Sequence, residues 1–554
     1  MFETNPDNAN VVPALASAQR PIAGSETAAI YRLLPNDTDF TVFARDGFAG
    51  MNFAFGDGSA HYHTPGDSPS NLDPSSLQHI GATVLDAARY FARQDLEAPR
   101  GGRLTYSSVL GQLLYYPQGL AVPLSVLAAV AFAATVLHAR RRGLRARAVA
   151  VAAVGFLPLL VVTGGLGVAA WQALLLLRPG YGSFLSGDTY RPEWYAAGAL
   201  ALTASLTFAW YLLLRRRYTP EVGLAIWGWL VVLALLTAVF MPGTAYLFTW
   251  PPLVGSIALA ATVRWGGTDP TWRWLACCAA AVPAIALLLP LVDFSTGLSF
   301  ATFPMIVAVL VLATALPVLD LLAPRRAYLV PVATVLGLAL FAAGLRIDTF
   351  DARHPRQTSL VYALDADHEQ AMWISSDPAP APWTDRYVDA ERTEADDRFP
   401  GSPIFSFPPS YHTGAASEAQ LKPPNVTVTQ SRQDGHTRDL ELRVAPGGAS
   451  RLALYADSRA HTLVTATVDG VRVDEAGGQT QGTGPLKWGF VFHATPPEGI
   501  DVRLRVRGAG PLPLRVVAYR RGLPQVPELT PVPDDLRWSA ASSNLTMIAK
   551  TYHV

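Results

Sequence analysis

The sequence predicts a multi-pass α-helical membrane protein with a mixed α/β segment at its amino terminus and a β-rich, sandwich-like domain at its carboxy terminus. The chain has 554 residues, of which 50% are hydrophobic and only 16% are charged. Soluble globular proteins contain about 25% charged residues. The charged residues are concentrated in the first hundred and the last two hundred residues, and the middle of the chain consists of long apolar runs.

The apolar runs predict a membrane domain of about eight helices over residues 119–345. A helix needs about 20 mainly apolar residues to cross a bilayer. Aromatic residues such as Trp194 and Trp274 lie near the ends of the runs, where they suit the membrane interface. The fifth run is the least regular, because Trp250, Pro251 and Pro252 interrupt it. The eight predicted spans are residues 119–138, 148–177, 194–214, 222–240, 246–263, 274–292, 300–322 and 328–345.

The arginines in the connecting loops predict the orientation of these spans. Loops after the odd-numbered spans contain twelve arginines, whereas the alternate loops contain only Arg178 and Arg191. Cytoplasmic loops are enriched in Lys and Arg, so the arginine-rich loops are predicted to be cytoplasmic and both soluble ends extracytoplasmic. The twelve are Arg140, Arg141, Arg142, Arg145, Arg147, Arg215, Arg216, Arg217, Arg264, Arg273, Arg325 and Arg326.

Composition argues against several functional classes. The net charge is +0, so no nucleic acid partner is expected. The only two cysteines, Cys277 and Cys278, are adjacent within an apolar run, which argues against a cysteine zinc site or a disulfide framework. The predicted spans lack ionisable residues at mid-depth, because Asp293 and Asp320 lie near helix ends. This argues against transport, although Pro251 and Pro252 leave a transporter with a broken helix as an alternative.

The carboxy-terminal segment, residues 347–554, is predicted to be a β-rich extracytoplasmic domain. Short alternating or β-branched runs are separated by Gly, Pro and Asp, which is typical of a sandwich. Its histidines show no metal-ligand spacing. The predicted strands are residues 358–364, 425–430, 439–444, 451–455, 463–468, 488–493, 502–506 and 514–519.

The first hundred residues are predicted to be mixed α/β. Helices are expected at residues 10–19 and 28–34, a strand at 51–55, and a long amphipathic helix at 74–94. Between that strand and the long helix lies the sequence His61-Tyr62-His63-Thr64-Pro65-Gly66-Asp67. A polar loop after a strand is a reasonable place for a metal ligand, but a single His-x-His in a loop is more often structural or solvated.

Several blocks of the first 95 residues resemble one family in their order. The chain resembles the endoplasmic-reticulum metallopeptidase and vacuolar membrane protease branch of the dizinc aminopeptidases, a family of zinc exopeptidases. Proteins of that branch have a peptidase domain, a multi-span region and a soluble domain facing the same side. The matching blocks are Met1-Phe2-Glu3-Thr4, Leu34-Pro35-Asn36-Asp37-Thr38-Asp39-Phe40, Gly50-Met51-Asn52-Phe53-Ala54-Phe55, Tyr62-His63-Thr64 through Asp67, and Ser76-Leu77-Gln78-His79 with Gly81.

The resemblance implies a membrane-bound zinc metallopeptidase of aminopeptidase type, with residues 1–100 as the carboxy-terminal part of an α/β peptidase domain. In that family, two zinc ions activate a water and polarise the scissile carbonyl. The resemblance assigns His63 as a zinc ligand and Asp67 as a residue that supports its loop. It implies a peptide substrate and a lipid bilayer as partners. The host membrane would be a bacterial cell membrane or a eukaryotic vacuolar or endoplasmic-reticulum membrane.

The resemblance also leads us to expect an amino-terminally truncated domain. The family's general base and its other metal ligands precede the first matched block, and catalytic zinc normally has three protein ligands. We therefore expect this chain alone to bind zinc no better than weakly, and we expect the reading frame to continue upstream of Met1. The alternatives are a non-catalytic membrane scaffold or binding protein derived from such a peptidase and, less favoured, a transporter.

Overall fold

The computed structural model divides the chain into two compact units. The first contains residues Met1–Ala60, Ser68–Leu174 and Ser186–Asp348, and the second contains His61–Asp67, Leu175–Leu185 and Thr349–Val554. The described residues are 1–33, 38–56, 58–95, 101–185, 187–261, 270–295, 302–322, 327–394, 398–399, 410–457, 459, 461–473, 486, 488–540 and 543–554, with backbone alone at 215–220, 270–274, 276–277, 293–295, 302, 316–322 and 394.

The amino-terminal part of the first unit contains short elements around one longer helix. Strand β1 (Glu3–Thr4) pairs antiparallel with β2 (Met51–Asn52), and β3 (Leu104–Val109) forms a hairpin with β4 (Gln112–Pro117). The helices are α1 (Val12–Ala16), α2 (Ser25–Tyr31), α3 (Asp39–Arg45) and α4 (Pro74–Phe91). The predicted first helix and strand are present but shorter, and the predicted second helix is equally long but begins three residues earlier. Residues 34–37 of the second family block lie outside the described residues.

Helix α4 confirms the predicted long helix, but its buried side differs from the apolar stripe that the sequence predicts. The apolar residues at helical spacing in that stripe are Leu77, Ile80, Val84, Leu85, Ala88 and Phe91. Asp73 caps the helix by accepting a hydrogen bond from the Ser76 N–H at 2.8 Å. The helix buries Thr83 and Ala87, whereas Leu77 is 54% exposed. Because Thr83 and Ala87 lie beside the stripe and not within it, the helix packs through small side chains.

The apolar runs form helices in the first unit. Five helical segments in the described part of the chain are long and apolar enough to cross a membrane: Gln118–Arg141, Ala146–Leu177, Pro192–Leu214, Glu221–Phe240 and Leu329–Ile347. Three shorter apolar helices, Tyr246–Ala261, Cys278–Val292 and Phe303–Ala315, coincide with the fifth to seventh predicted spans. The full helices are α5 (Ala121–Arg141), α6 (Ala146–Leu177), α7 (Pro192–Phe240), α8 (Tyr246–Ala261), α9 (Pro270–Ser295), α10 (Thr302–Leu322) and α11 (Leu329–Ile347).

Helix α7 contains the third and fourth predicted spans in one continuous helical segment, so the expected loop between them is not a break in helical structure. A straight helix would separate Trp210 and Trp229 by about 28 Å, at 1.5 Å per residue. Both indole N–H groups nevertheless donate to carbonyls two residues apart on α6, those of Gly155 at 2.8 Å and Ala153 at 2.9 Å. The segment is therefore bent between Trp210 and Trp229.

Helix α8 continues through Pro251 and Pro252, which corrects the expectation of an interruption there. Three of the arginines in the predicted cytoplasmic loops, Arg264, Arg325 and Arg326, lie outside the described residues.

The second unit is a β-sandwich, which confirms the β-rich prediction. One sheet has the strand order β15-β12-β17-β19-β6-β7-β9-β8, and the other has β10-β11-β16-β13-β14. The strands are β5 (Arg356–Thr358), β6 (Leu360–Asp365), β7 (Gln370–Ser375), β8 (Arg392–Glu394), β9 (Ser410–Ala415), β10 (Asn425–Asp434), β11 (Thr437–Ala445), β12 (Arg451–Ala456), β13 (His461–Val468), β14 (Val471–Arg472), β15 (Trp488–His493), β16 (Ile500–Gly508), β17 (Pro513–Arg521), β18 (Leu536–Trp538) and β19 (Asn544–His553).

The core between the two sheets follows from alternation along the strands. In β11, Leu440, Leu442 and Val444 are buried while their neighbours are only partly buried, as a strand with one core-facing side requires. They pack in one cluster with side chains of the larger sheet such as Leu454 and Val516. All eight predicted strands are present, whereas β7, β8, β9, β14, β18 and β19 were not predicted from the sequence.

Candidate metal-binding loop

The histidine loop forms a compact hydrogen-bonded turn, His61–Asp67, that belongs to the same unit as the carboxy-terminal β-domain. The Thr64 N–H and its hydroxyl both donate to the His61 carbonyl, at 3.1 and 2.8 Å. The Gly66 N–H donates to the Thr64 hydroxyl at 3.0 Å, and the Asp67 N–H donates to the Thr64 carbonyl at 3.0 Å. Buried Thr64 therefore organises the turn, and no regular secondary structure is needed to hold it.

His63 is exposed and has an unusual backbone conformation. Its φ of +60° lies in the left-handed region, where a residue with a Cβ is uncommon, although histidine is found there more often than most residues. Its ring stacks on Tyr62 with the centroids 3.8 Å apart. Residues held in this region cost free energy and occur preferentially at functional sites. The conformation is compatible with a ligand role for His63, which stays a prediction.

The two neighbouring residues from the sequence motif have different environments. His61 is partly buried, and burial lowers its pKa, helped by the positive charges of Arg537 and His354, while Asp67 acts in the opposite direction. The carboxylate of Asp67 is exposed, and the hydrogen bond that closes the turn comes from its backbone. The predicted support of the loop by Asp67 is therefore seen at the backbone, and a role for its side chain stays a prediction.

The described residues do not fit the two-zinc site that the family resemblance implies. In the part of the chain that the structure describes, no group of three or more His, Cys, Asp or Glu side chains could hold a metal ion. A catalytic zinc normally needs three protein ligands. His63 is thus a single candidate ligand, and no step of peptide hydrolysis can be assigned to the described residues.

A buried carboxylate that the sequence analysis did not identify lies elsewhere in the first unit. Glu26, on α2, is 7% exposed, and its carboxylate accepts a hydrogen bond from the Tyr246 hydroxyl at the start of α8. Burial raises the pKa of Glu26. The adjacent Ser25 hydroxyl donates to the Gly243 carbonyl at 2.6 Å. Helix α2 is thereby fixed to the segment that leads into α8, by contacts between residues more than 200 positions apart that no local pattern predicts.

Comparisons with known proteins place the amino-terminal segment in a peptidase family. Residues 1–88 match the profile of peptidase family M28. Endoplasmic reticulum metallopeptidase 1 from Rattus norvegicus is 30% identical over 154 residues, which cover 26% of this chain and 17% of that protein. The Homo sapiens protein of the same name is 29% identical over 126 residues, covering 21% of this chain and 14% of its own length. The matched region thus spans less than a fifth of either relative.

Structural similarity adds no argument about the fold. The solved structure of the Fcho1 Mu homology domain from Danio rerio, with a bound Eps15 peptide, aligns with 36% of this chain and 96% of its own. The TM-score is 0.15 and the sequence identity is 10%.

Proposed function

Because residues 1–88 belong to peptidase family M28, in its endoplasmic reticulum metallopeptidase branch, we propose that this chain is part of a membrane-bound zinc metallopeptidase of aminopeptidase type. The family match is the observation that carries the proposal. In it, His63 supplies one zinc ligand, and the other ligands and the general base come from parts of the peptidase domain other than the described residues. The substrate is a peptide, cleaved at the extracytoplasmic side of the membrane.

The first experiment tests His63 with a substitution that suits its backbone. Asparagine tolerates the left-handed region, so His63→Asn removes the imidazole without adding backbone strain. The protein is purified from its native membrane with any sequence that precedes residue 1 retained. Loss of even an indirect zinc contact typically costs about 10- to 100-fold in metal affinity or activity, so His63→Asn should cost at least that in zinc affinity and in hydrolysis of amino-acyl substrates.

The control is His436→Asn, which removes another exposed histidine from the turn between β10 and β11 and should leave bound zinc unchanged. The 554-residue chain alone provides a second comparison and should hold zinc weakly, since it offers one candidate ligand. Unchanged zinc content and activity in His63→Asn would rule out the ligand assignment. Absence of zinc and of hydrolysis in the native protein would favour the non-catalytic membrane protein.

We also propose that the helical region crosses the membrane eight times and that residues 1–118 and 347–554 share the extracytoplasmic side. The bend of α7 between Trp210 and Trp229 supports two spans within that helical segment. The arginine-rich loops support the orientation, because such loops remain in the cytoplasm.

Reporter fusions test this arrangement. Fusions at Gly143 and Arg216 should report a cytoplasmic location, because both positions lie in arginine-rich segments, whereas a fusion at Ser376 should report the opposite side. A fusion at Gly187, in one of the arginine-poor loops, is the internal control and should match Ser376. A cytoplasmic signal at both Gly143 and Ser376 would contradict the even span count.

A further inference from the structure

The turn that carries His63 lies against a residue nearly five hundred positions away. A Cβ placed on Gly66 would lie 3.1 Å from Nη1 of Arg537 and 2.8 Å from Nδ1 of His61. Gly66 is buried, so the guanidinium of Arg537 covers the backbone of the turn at this point. The turn packs on the carboxy-terminal domain through this contact.

Glycine is needed at position 66 for space. The residues of positive φ include His63 but not Gly66, so an alanine at position 66 would be compatible with the backbone itself. Its methyl group would instead meet the Arg537 guanidinium on one side and the Thr64 hydroxyl, also 3.1 Å away, on the other. The tightest approach, 2.8 Å to Nδ1 of His61, forces a side chain to move, and the two contacts at 3.1 Å require Arg537 and Thr64 to yield by a few tenths of an ångström.

Arg537 projects from a part of the domain that is held in place on two sides. It lies at the centre of β18, which pairs in parallel with β5. The Ser539 N–H donates to the Thr358 carbonyl at 2.9 Å, directly after the strand. Trp538 packs edge-on against Trp383, with the ring centroids 6.1 Å apart. The base of the Arg537 side chain is therefore fixed, and the guanidinium can define the position of a loop that has no regular structure of its own.

We propose that Arg537 is a positioning residue for the His61–Asp67 turn: its guanidinium packs on the backbone of Gly66 and holds the turn, and with it the exposed imidazole of His63, on the carboxy-terminal β-domain. The β-domain then holds the loop that carries the proposed ligand. The inference deepens the proposed function, because it concerns the loop of the proposed ligand. Its test needs no metal, so the two can fail independently.

Hydrogen exchange in the full chain, purified in detergent, measures whether the turn is held. The amides of Thr64, Gly66 and Asp67 are hydrogen-bonded within the turn and should be protected. Arg537→Ala should speed their exchange about tenfold, the factor that corresponds to losing one contact of ordinary strength. Arg537→Lys keeps the charge but not the planar group, so it should restore part of the protection. Arg472→Ala, on the exposed edge strand β14, removes an arginine elsewhere and should have no effect.

A spectroscopic signal from His63 separates positioning from a general loss of stability. In chain labelled with ¹³C at histidine Cε1, the His63 signal is identified by its absence in His63→Asn. The ring current of stacked Tyr62 should shift that signal, and Arg537→Ala should move it toward the position of free histidine. Amides of β16 and β17 should exchange at unchanged rates.

If Arg537→Ala also speeds exchange in the β-domain, Gly66→Ala is the informative variant, because Gly66→Ala leaves Arg537 and β18 intact. It should speed exchange in the turn and move the His63 signal as Arg537→Ala does. Unchanged exchange and an unchanged His63 signal in both variants would overturn the proposal. If both variants speed exchange in the turn while His63→Asn leaves zinc binding unchanged in the native protein, the positioning role of Arg537 stands and the assignment of His63 as a ligand fails.

Discussion

Arg515→Ala is expected to destabilise the carboxy-terminal domain by about 3–5 kcal/mol, the cost of removing one partner of a buried ion pair. Arg515 is 5% exposed and Asp365 is fully buried. The two are joined at 3.0 Å, and a second ion pair to Asp367 measures 2.6 Å. The remaining donors reach the Thr551 hydroxyl and the Arg398 carbonyl. All five guanidinium N–H groups are thereby used, so alanine would leave the buried Asp365 carboxylate without its permanent countercharge, its other partner being the exposed ring of His368 at 2.7 Å.

The matched control is Arg505→Ala, which removes an arginine that binds Asp439 through two hydrogen bonds, at 2.6 and 2.8 Å, on the exposed face of β16. Exposed pairs contribute about 0–1 kcal/mol, so this change should be small. The free energy of opening is measured by hydrogen exchange at β17 and β19 in the full chain. Asp365→Asn added to Arg515→Ala should recover part of the loss, because it removes the unpaired charge. Equal effects of Arg515→Ala and Arg505→Ala would contradict the role of burial.

The second large effect is a dependence of the stability of the carboxy-terminal domain on pH, caused by Asp377. This carboxylate is 2% exposed, and burial raises its pKa to about 6 from 3.8. It accepts hydrogen bonds from the Thr358 hydroxyl at 2.7 Å and from the Ser359 N–H at 3.0 Å. The folded domain therefore keeps a proton that the unfolded chain loses. The protonated carboxyl of Asp377 therefore contributes about 3 kcal/mol to the free energy of unfolding. This contribution is fully present below about pH 4 and is lost as the pH rises toward 6.

The Asp377 effect is isolated as a difference between two proteins. Asp377→Asn stays neutral at every pH and its amide oxygen can still accept both hydrogen bonds, so its stability should lack this decline between pH 4 and 6. Carboxylates with lowered pKa values, such as Asp365 and Asp457, stabilise the domain less as the pH falls. Their contributions are the same in the wild type and in Asp377→Asn, so they cancel in the difference between the two proteins. Asp534→Asn, at an exposed position, should leave the wild-type profile unchanged. Parallel profiles for the wild type and Asp377→Asn would show that Asp377 does not titrate in this range.

Local patterns along the chain were sufficient to predict several features of the fold. Apolar runs of membrane length gave the helical region, since the number of consecutive apolar residues is a local property. Alternation gave the sandwich strands, and the predicted strand at residues 488–493 has the bounds of β15, Trp488–His493. The order of short motifs indicated the resemblance to a peptidase family and the candidate ligand His63, because the residues of a motif are neighbours in the chain.

Which of these segments contact one another became known from the three-dimensional structure. Strand β19 was missed, although it lies near the centre of the larger sheet between β17 and β6. Its place depends on pairing partners tens to almost two hundred residues away. Helix α7 is one helical segment, yet the contacts of Trp210 and Trp229 with α6 show that it is bent. The contact of Arg537 with Gly66 and the ion pair of Arg515 with Asp365 likewise join residues distant in the chain. Hydrophobic periodicity specifies which face of an element is buried, but not against which partner, and that choice is made by packing of the whole chain.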